Sequence, residues 1–312
     1  MDYKAIILAN WGIECHTIEQ IYASAWRIDD NFILKSGKDI DSLRRHIAIT
    51  DCLRRFNIPV AEIVPTLIKD AFLVSDGHYY VLSRRLPGKH IERIFDQDYC
   101  LIARKSGEVI ANLHRALLDV QQVLKCWDNN LLSEMQGWIK EFFDASGYQL
   151  ISRQEFEALR HRLEGLSDLL PKQLIHRDLH FGNLLFEDGD VSGYIDFDLS
   201  QINYRIFDIC YFALGLLIEG FSCEDKCDKW FQMLRNIVQG YESKTMLTCA
   251  EKQAAVCVME CIELLFTAYF SQNSNHTLAE NAANMFHWIQ KNENKIEALF
   301  CCTLAGFEEA EH

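Results

Sequence analysis

The sequence is poor in basic residues relative to acidic ones. Its 312 residues include 31 Lys or Arg against 45 Asp or Glu, so the formal net charge is −14 at pH 7. Proteins that bind nucleic acid need a basic surface for the phosphate backbone, and this balance argues against nucleic acid as the main partner. An acidic surface is compatible with a cationic substrate, although the solubility that net charge provides explains it equally well.

Long apolar runs and a targeting segment are also missing. No uninterrupted apolar stretch reaches the roughly 20 residues of a membrane helix. The start, MDYKAIILANWG, has no basic region ahead of its apolar run, unlike a secretory signal. We therefore expect a cytoplasmic protein without a membrane partner. The twelve cysteines lack the paired CxxC pattern of a zinc site, and we expect reduced, buried thiols.

The chain has no internal repeat or low-complexity linker, but its character changes along its length. Up to about residue 82 it is rich in strand patterns, with strands expected in HTIEQIYASAWRID and NFILKS, a helix in DIDSLRRHIAITDCLRRFN and a hairpin in AFLVSDGHYYVLSRR. Pro87 and Gly88 then mark a break. Beyond it, apolar spacing predicts long helices, beginning with YCLIARKSGEVIANLHRALL. We expect a small sheet-rich part, a hinge near residues 83–88 and a larger helical part.

One stretch, LIHRDLHFGNLLFEDGDVSGYIDFDLS at residues 174–200, concentrates polar groups around two short strands. The tetrapeptide EDGD favours a hairpin turn between NLLF and VSGYI. If Phe186 pairs with Val191, Asn183 lies opposite about Tyr194, and Asp196 falls just past the open end of the hairpin. The pattern therefore predicts that an amide and a carboxylate meet at the open end.

The chemistry of these groups indicates phosphoryl transfer. Amide and carboxylate oxygens, here those of Asn183 and Asp196, suit Mg²⁺, which keeps waters and takes further ligands from substrate phosphates. Asp178 lies on the loop that leads into the hairpin, and we expect it to meet the other two at the hairpin's open end. A carboxylate there, free of the metal, can accept a hydroxyl proton. Metal and base together are what phosphoryl transfer requires.

HRDLHFGN followed by YIDFD resembles the catalytic loop and metal-binding motif of the aminoglycoside phosphotransferase and choline kinase family, the small-molecule branch of the protein-kinase-like fold. The resemblance implies an α+β, bilobal protein with a small antiparallel-sheet lobe and a larger, mainly helical lobe. It assigns residues 1–86 to the nucleotide-binding lobe and 87–312 to the lobe with the catalytic loop and the acceptor site.

The resemblance also implies a role for each polar residue of the motif. It makes Asp178 the catalytic base, and Asn183 and Asp196 the Mg²⁺ ligands. Four residues are expected to support this centre: His176, His180, Asp198 and Asp208. His176 braces the loop, Asp208 ties the loop to the helix behind it, and His180 either packs the loop or contacts phosphate or substrate.

The nucleotide is expected in the smaller lobe. Lys35 ends the apolar run NFILK, where the family has the lysine that contacts the α- and β-phosphates. The turn in IYASAWRI has no glycine, so Ser24 and its neighbours must offer backbone N–H groups to the phosphates. Backbone groups around Ser83 to Arg85, in YYVLSRRLPG, are expected to pair with the purine. ATP is the expected phosphate donor, and GTP is not excluded.

One position departs from the family pattern. The acid that usually pairs with the lysine is replaced by His46, whose neutral imidazole supplies no full negative charge. We therefore expect Lys35 to be held differently, by Asp39 or Asp41, or less firmly. This departure keeps one alternative open, a kinase-like spore-coat or binding protein with little or no catalysis.

The segment after the hairpin favours a small substrate. Only eleven residues separate Asp196 from Asp208, and neither DFG nor APE occurs, which leaves no room for the activation segment of a protein kinase. We expect a hydroxyl-bearing and amine-bearing acceptor, with aminoglycoside, choline or ethanolamine, homoserine and other amino alcohols all open. Acids and aromatic rings after residue 205 are candidates for binding it.

Overall fold

The computed structural model describes residues 2–301, whose contacts divide them into two units. The first comprises residues 2–91, 122–124 and 181–200, and the second comprises residues 92–121, 125–180 and 201–301. The helices of the described residues are α1 (Tyr3–Trp11), α2 (Ile40–Arg55), α3 (Tyr99–Val123), α4 (Leu131–Gln136), α5 (Trp138–Ser146), α6 (Arg153–Leu166), α7 (Ile206–Leu217), α8 (Glu224–Glu242), α9 (Cys249–Gln272), α10 (His276–Lys291) and α11 (Glu293–Cys301).

The strands form one five-stranded sheet and two strand pairs, all antiparallel. The larger sheet, in the first unit, has the order β1-β2-β3-β5-β4, and the pairs are β6 with β9 and β7 with β8. The strands are β1 (Ile18–Tyr22), β2 (Ala25–Ile28), β3 (Phe32–Gly37), β4 (Leu73–Ser75), β5 (His78–Arg84), β6 (Lys172–Ile175), β7 (Leu184–Glu187), β8 (Asp190–Tyr194) and β9 (Gln201–Tyr204). The α+β class expected from the sequence is confirmed.

The five-stranded sheet is covered on both faces. Side chains alternate along a strand, and in β5 Tyr80 and Leu82 pack with α1 residues, whereas Tyr79 and Val81 pack with Leu43 of α2. The strand-rich interpretation of the first 82 residues missed α1, although Asp2 caps it by accepting a hydrogen bond from the N–H of Ala5. The sheet has a hydrophobic core on each side.

The β7–β8 hairpin belongs to the first unit because the chain after β5 is bonded to it. Lys89 and Phe186 exchange two main-chain hydrogen bonds of 2.9 and 2.8 Å, and the Ser192 hydroxyl donates to the carbonyl of Pro87. Gly88 has a φ of 93°, and a Cβ there would lie 2.2 Å from the Ser192 hydroxyl oxygen. Only glycine satisfies both conditions, so the Pro-Gly break is where the hairpin attaches.

The second unit is built around α9. This helix is apolar and long enough to cross a membrane, but 78% of its most apolar window is buried within the protein, as for the core helix of a folded domain. Helices α3 and α8 approach closely where a Cβ on Gly107 would lie 2.0 Å from the carbonyl oxygen of Ile237. The eleven cysteines within residues 2–301 are free thiols.

Candidate active site

A buried carboxylate shapes the loop that follows β6. Asp208, in the first turn of α7, is fully buried and accepts hydrogen bonds from the main-chain N–H groups of His176 (2.8 Å) and Arg177 (2.9 Å). Its Oδ2 also lies 3.1 Å from Nε2 of His114. Arg177 has a φ of 76°, a left-handed conformation that is costly for a residue with a side chain. The structure thus brings His176 and Asp208 together and fixes the loop ahead of Asp178.

Arg177 is held by a buried partner that the sequence reasoning missed. One of its guanidinium nitrogens lies 3.0 and 2.8 Å from the two oxygens of Glu134, and the guanidinium stacks over the ring of Phe207 at 4.6 Å. Burial raises the pKa of Glu134, although Arg177 opposes this effect. Removing one member of such a pair leaves an uncompensated charge, so the pair locks the side chain next to Asp178.

Asp178 is bonded to a tyrosine from α7. The hydroxyl of Tyr211 donates to Oδ1 of Asp178 at 2.5 Å, and Nε2 of His180 lies 3.7 Å from Oδ2. Burial raises the pKa of Asp178, but the contacts with His180 and Tyr211 and the charge of His176 outweigh it, so the net pKa lies below its ordinary value. Asp178 is therefore ionised at neutral pH, as a base must be. Tyr211 lies one helical turn after Asp208, and this spacing is the sequence signal that could have revealed it.

The hairpin brings Asn183 and Asp196 to its open end. Phe186 pairs with Val191 as predicted, but a register shift after Leu185 displaces the rest of the ladder by one residue. The carbonyl of Asn183 therefore accepts a hydrogen bond from the N–H of Ile195 (3.1 Å), whereas the sequence predicted Tyr194 opposite it. Asp196 follows directly. That Asp178 meets these two residues stays a prediction.

Lys35 lies against the acids that follow the hairpin. Its ammonium donates to Oδ1 of Asp196 (2.6 Å) and to Oδ2 of Asp198 (2.7 Å). Lys35 lies within β3 rather than at its end, opposite Ala25 in β2 and Val81 in β5. Burial alone would lower its pKa, but the charges of the two carboxylates outweigh burial and raise it. The lysine therefore remains charged.

The lysine is not held by the acids that the sequence suggested. The expectation that Asp39 or Asp41 holds Lys35 is wrong, because the ammonium bonds to Asp196 and Asp198, whereas Asp39 caps α2 and Asp41 lies 3.5 Å from Arg44. The main-chain N–H of Phe197 donates to Nδ1 of His46 (3.2 Å), which makes that nitrogen an acceptor. Oδ1 of Asp198 lies 3.3 Å from the same nitrogen. His46 thus packs beside Asp198, and the negative charges next to Lys35 come from Asp196 and Asp198.

The residues expected to contact the nucleotide lie at both ends of the central strands. Ser24 lies in the turn between β1 and β2, and its carbonyl accepts a hydrogen bond from the N–H of Ser36 (2.9 Å). Ser83 lies in β5 opposite Ile33, and the N–H of Arg85 donates to the carbonyl of Asn31 (2.8 Å). Because that N–H group is already bonded, a purine at this segment must pair with other backbone groups.

The donor set at the open end fits a magnesium ion. Asp196 and Asp198 share the ammonium of Lys35, so this position already attracts a cation. Within residues 2–301, no group of three or more His, Cys, Asp or Glu side chains is arranged to hold a metal by itself. A cation at Asn183 and Asp196 would have few protein ligands, which suits Mg²⁺, since that ion keeps waters and takes phosphate oxygens.

The acids and aromatic rings after residue 205 lie in different surroundings. The ring of Phe266, on α9, lies 5.9 Å from that of Tyr211. Glu260 instead faces Arg162 at 3.6 Å, and burial raises its pKa to about 7. Trp230 is buried and donates its indole N–H to the carbonyl of Ala213. Phe266 is therefore linked to the predicted base through Tyr211.

Comparison with known proteins decides the family. A sequence profile of the phosphotransferase enzyme family matches residues 21–238, more than half of the chain. The chain belongs to this family. A homoserine kinase of Gluconobacter oxydans is 33% identical over 195 residues, which span 59% of the chain and 57% of that relative. The chain therefore matches little more than half the length of this curated relative.

Solved structures of other kinases have the same fold as this chain. An amicoumacin kinase in complex with AMP-PNP, Ca²⁺ and amicoumacin has a TM-score of 0.68 at 16% identity, covering 96% of this chain and 94% of its own. A microcompartment-associated aminopropanol kinase has a TM-score of 0.60 at 15% identity, with 94% and 97% covered. At these identities the likeness concerns the fold alone. The predicted protein-kinase-like fold is confirmed.

Proposed function

We propose that this member of the phosphotransferase family is an ATP- and Mg²⁺-dependent kinase that phosphorylates the hydroxyl of a small, amine-bearing molecule. The observation that carries the proposal is the ammonium of Lys35 held between Asp196 and Asp198 at 2.6 and 2.7 Å. A permanently charged lysine next to a carboxylate suited to Mg²⁺ is the pairing that binds and neutralises nucleotide phosphates.

The chain's residues divide the work of a direct transfer. Asp178 orients the acceptor hydroxyl and takes its proton as the oxygen bonds to the γ-phosphorus and the bond from that phosphorus to the leaving ADP oxygen breaks. Asn183 and Asp196 would hold Mg²⁺, which when bound neutralises phosphate charge. Asp208 and the Arg177–Glu134 pair keep the loop in shape. No phosphoenzyme is required.

The amine-bearing acceptor is supported mainly by the names of similar proteins, and two features of the chain are consistent with a small, cationic substrate. The formal charge of −14 is compatible with a cationic ligand. The matched relative is a homoserine kinase, and one of the structural neighbours is an aminopropanol kinase, so both names describe an amino alcohol or amino acid with a hydroxyl. The short segment between Asp196 and Asp208 disfavours a protein substrate. A cytoplasmic location, as expected from the sequence, accords with such a metabolite.

The test is an ADP-release assay on the purified protein with ATP and Mg²⁺. The acceptor panel contains homoserine, ethanolamine, choline, aminopropanol and an aminoglycoside, each paired with an analogue that lacks the amine. We expect ADP release with at least one amine-bearing acceptor, little with its analogue, and a product heavier by one phosphoryl group in the mass spectrum. Nucleotide binding without turnover on the whole panel would favour the kinase-like binding protein instead.

A further inference from the structure

Helix α7 supplies a second group to the predicted base. Asp208 and Tyr211 are three residues apart and therefore lie on the same side of the helix. Asp208 bonds to the main chain of the loop, and Tyr211 bonds to the side chain of Asp178 at 2.5 Å. The same face of α7 thus holds both the main chain of residues 176–177 and the carboxylate of Asp178.

The ring of Tyr211 is held in place independently of this bond. It stacks on Phe207, one turn earlier in α7, with centroids 5.9 Å apart and planes 18° apart, and it also contacts Phe266 of α9. Burial and the negative charge of Asp178 raise the pKa of Tyr211, so its hydroxyl keeps its proton at any working pH. Tyr211 is therefore a hydrogen-bond donor at every working pH, and packing fixes the position of its ring.

We propose that Tyr211 is a positioning residue that fixes the rotamer of Asp178 through Oδ1 and assigns Oδ2 to the acceptor hydroxyl. This inference rests on the proposed function. Oδ2 faces His180, whose half-exposed side chain lies 3.7 Å away. A residue that holds the base close to its productive orientation raises the rate without itself contacting the substrate.

The bond also sets the basicity of Asp178. The groups that lower its pKa are His180, on the same loop, Tyr211 from α7, and the charge of His176. Removing the tyrosine hydroxyl weakens the stabilisation of the ionised carboxylate. The pKa of Asp178 should then rise toward its ordinary value of 3.8 or above.

The experiment is Tyr211→Phe, which keeps the ring and its stacking. We expect kcat to fall about tenfold, the KM for the nucleotide to stay constant, and the acidic limb of the pH profile of kcat/KM to move to higher pH. Tyr148→Phe is the matched control, because the hydroxyl of Tyr148 also donates to a carboxylate, that of Asp144, outside the predicted site. The inference would be overturned if Tyr211→Phe had the wild-type kcat and an acidic limb of the kcat/KM pH profile at the same pH as in the wild type.

Two further measurements keep the inference separate from the proposed function. In an Asp178→Asn background, Tyr211→Phe should add almost no further loss, since residues that act through one another are not additive; an additional tenfold loss would count against it. In the substrate-free protein, the ¹³C carboxyl shift of Asp178, assigned with Asp178→Asn, should titrate at higher pH in Tyr211→Phe. An unchanged titration overturns the inference even if no acceptor is ever found.

Discussion

The ammonium of Lys35 donates a hydrogen bond to the carboxylate of Asp198, 163 residues further along the chain. Asp198 is also in contact with the imidazole that stands where the family has an acid on the following helix. The negative partners of the lysine are therefore two carboxylates of the segment after the hairpin, Asp196 and Asp198. A histidine at position 46 does not leave Lys35 without a charged partner.

Asp198→Asn tests the contact between Asp198 and Lys35. The amide keeps the shape of the carboxylate but not its charge, so Lys35 should be held less firmly, and we expect the KM for the nucleotide to rise about three- to tenfold, the equivalent of about 1 kcal/mol. Steady-state kinetics with varied ATP measure the effect. Asp41→Asn, an exposed acid on α2, is the control and should change nothing. Equal KM values in both variants would contradict the role of Asp198.

Asp178→Asn should abolish most of the turnover. An amide cannot accept the proton of the acceptor hydroxyl, and general base catalysis contributes about 10²–10⁴-fold to kcat. Nucleotide binding, measured by calorimetry, should be retained. The control is Asp119→Asn, which makes the same charge change at an exposed position of α3. A kcat within a factor of about two of the wild-type value would remove Asp178 from the mechanism.

Asp196→Asn should eliminate magnesium-dependent turnover. The substitution removes a ligand proposed for the metal and one of the two charges on Lys35. Chelation of the metal with EDTA should reversibly abolish the activity of the wild-type protein, and added Mg²⁺ should restore this activity. Asp188→Asn, in the turn at the other end of the same hairpin, has an exposed side chain and should behave like the wild type. Full activity of the wild-type protein in EDTA would exclude the proposed metal site.

Glu263 should make the protein less stable at alkaline pH. This residue of α9 is buried, and burial raises its pKa from 4.5 to about 8. The folded state binds the proton of Glu263 more tightly than the unfolded state. The contribution of Glu263 to the free energy of unfolding is therefore complete below about pH 4.5 and is lost as the pH rises through about 8. Glu263→Gln, which stays neutral, should therefore be more stable than the wild type at pH 9 in urea unfolding. Glu280→Gln, an exposed position on α10, should show no such gain.

The sequence predicted the elements whose signals are local. The turn at Asp188-Gly189, the helix α2 and the β4–β5 hairpin each carry their own turn or periodicity signal, and each forms as expected. The register of the β7–β8 hairpin was wrong by one residue because a shift after Leu185 depends on how the strands pack, which no local pattern records.

The contacts that could not be predicted join residues far apart in the chain. Nothing near Lys35 indicates that its partner is Asp198, and the sequence reasoning favoured the acids closest in sequence, Asp39 and Asp41. Glu134 lies 43 residues from Arg177, and Tyr211 lies 33 residues from Asp178. Composition and spacing assign the motif, whereas the groups that hold the motif in place come from the tertiary fold.

The bonds from Asp208 to the loop go to main-chain N–H groups, and this has a consequence for the tolerance of the loop to change. Every amino acid except proline carries such a hydrogen, so these bonds are indifferent to the identity of positions 176 and 177. In a saturation library, position 208 should therefore accept almost no replacement, because no other side chain offers the same two acceptor oxygens to the loop. Positions 176 and 177 should be limited instead by the burial of their side chains and by the Arg177–Glu134 pair.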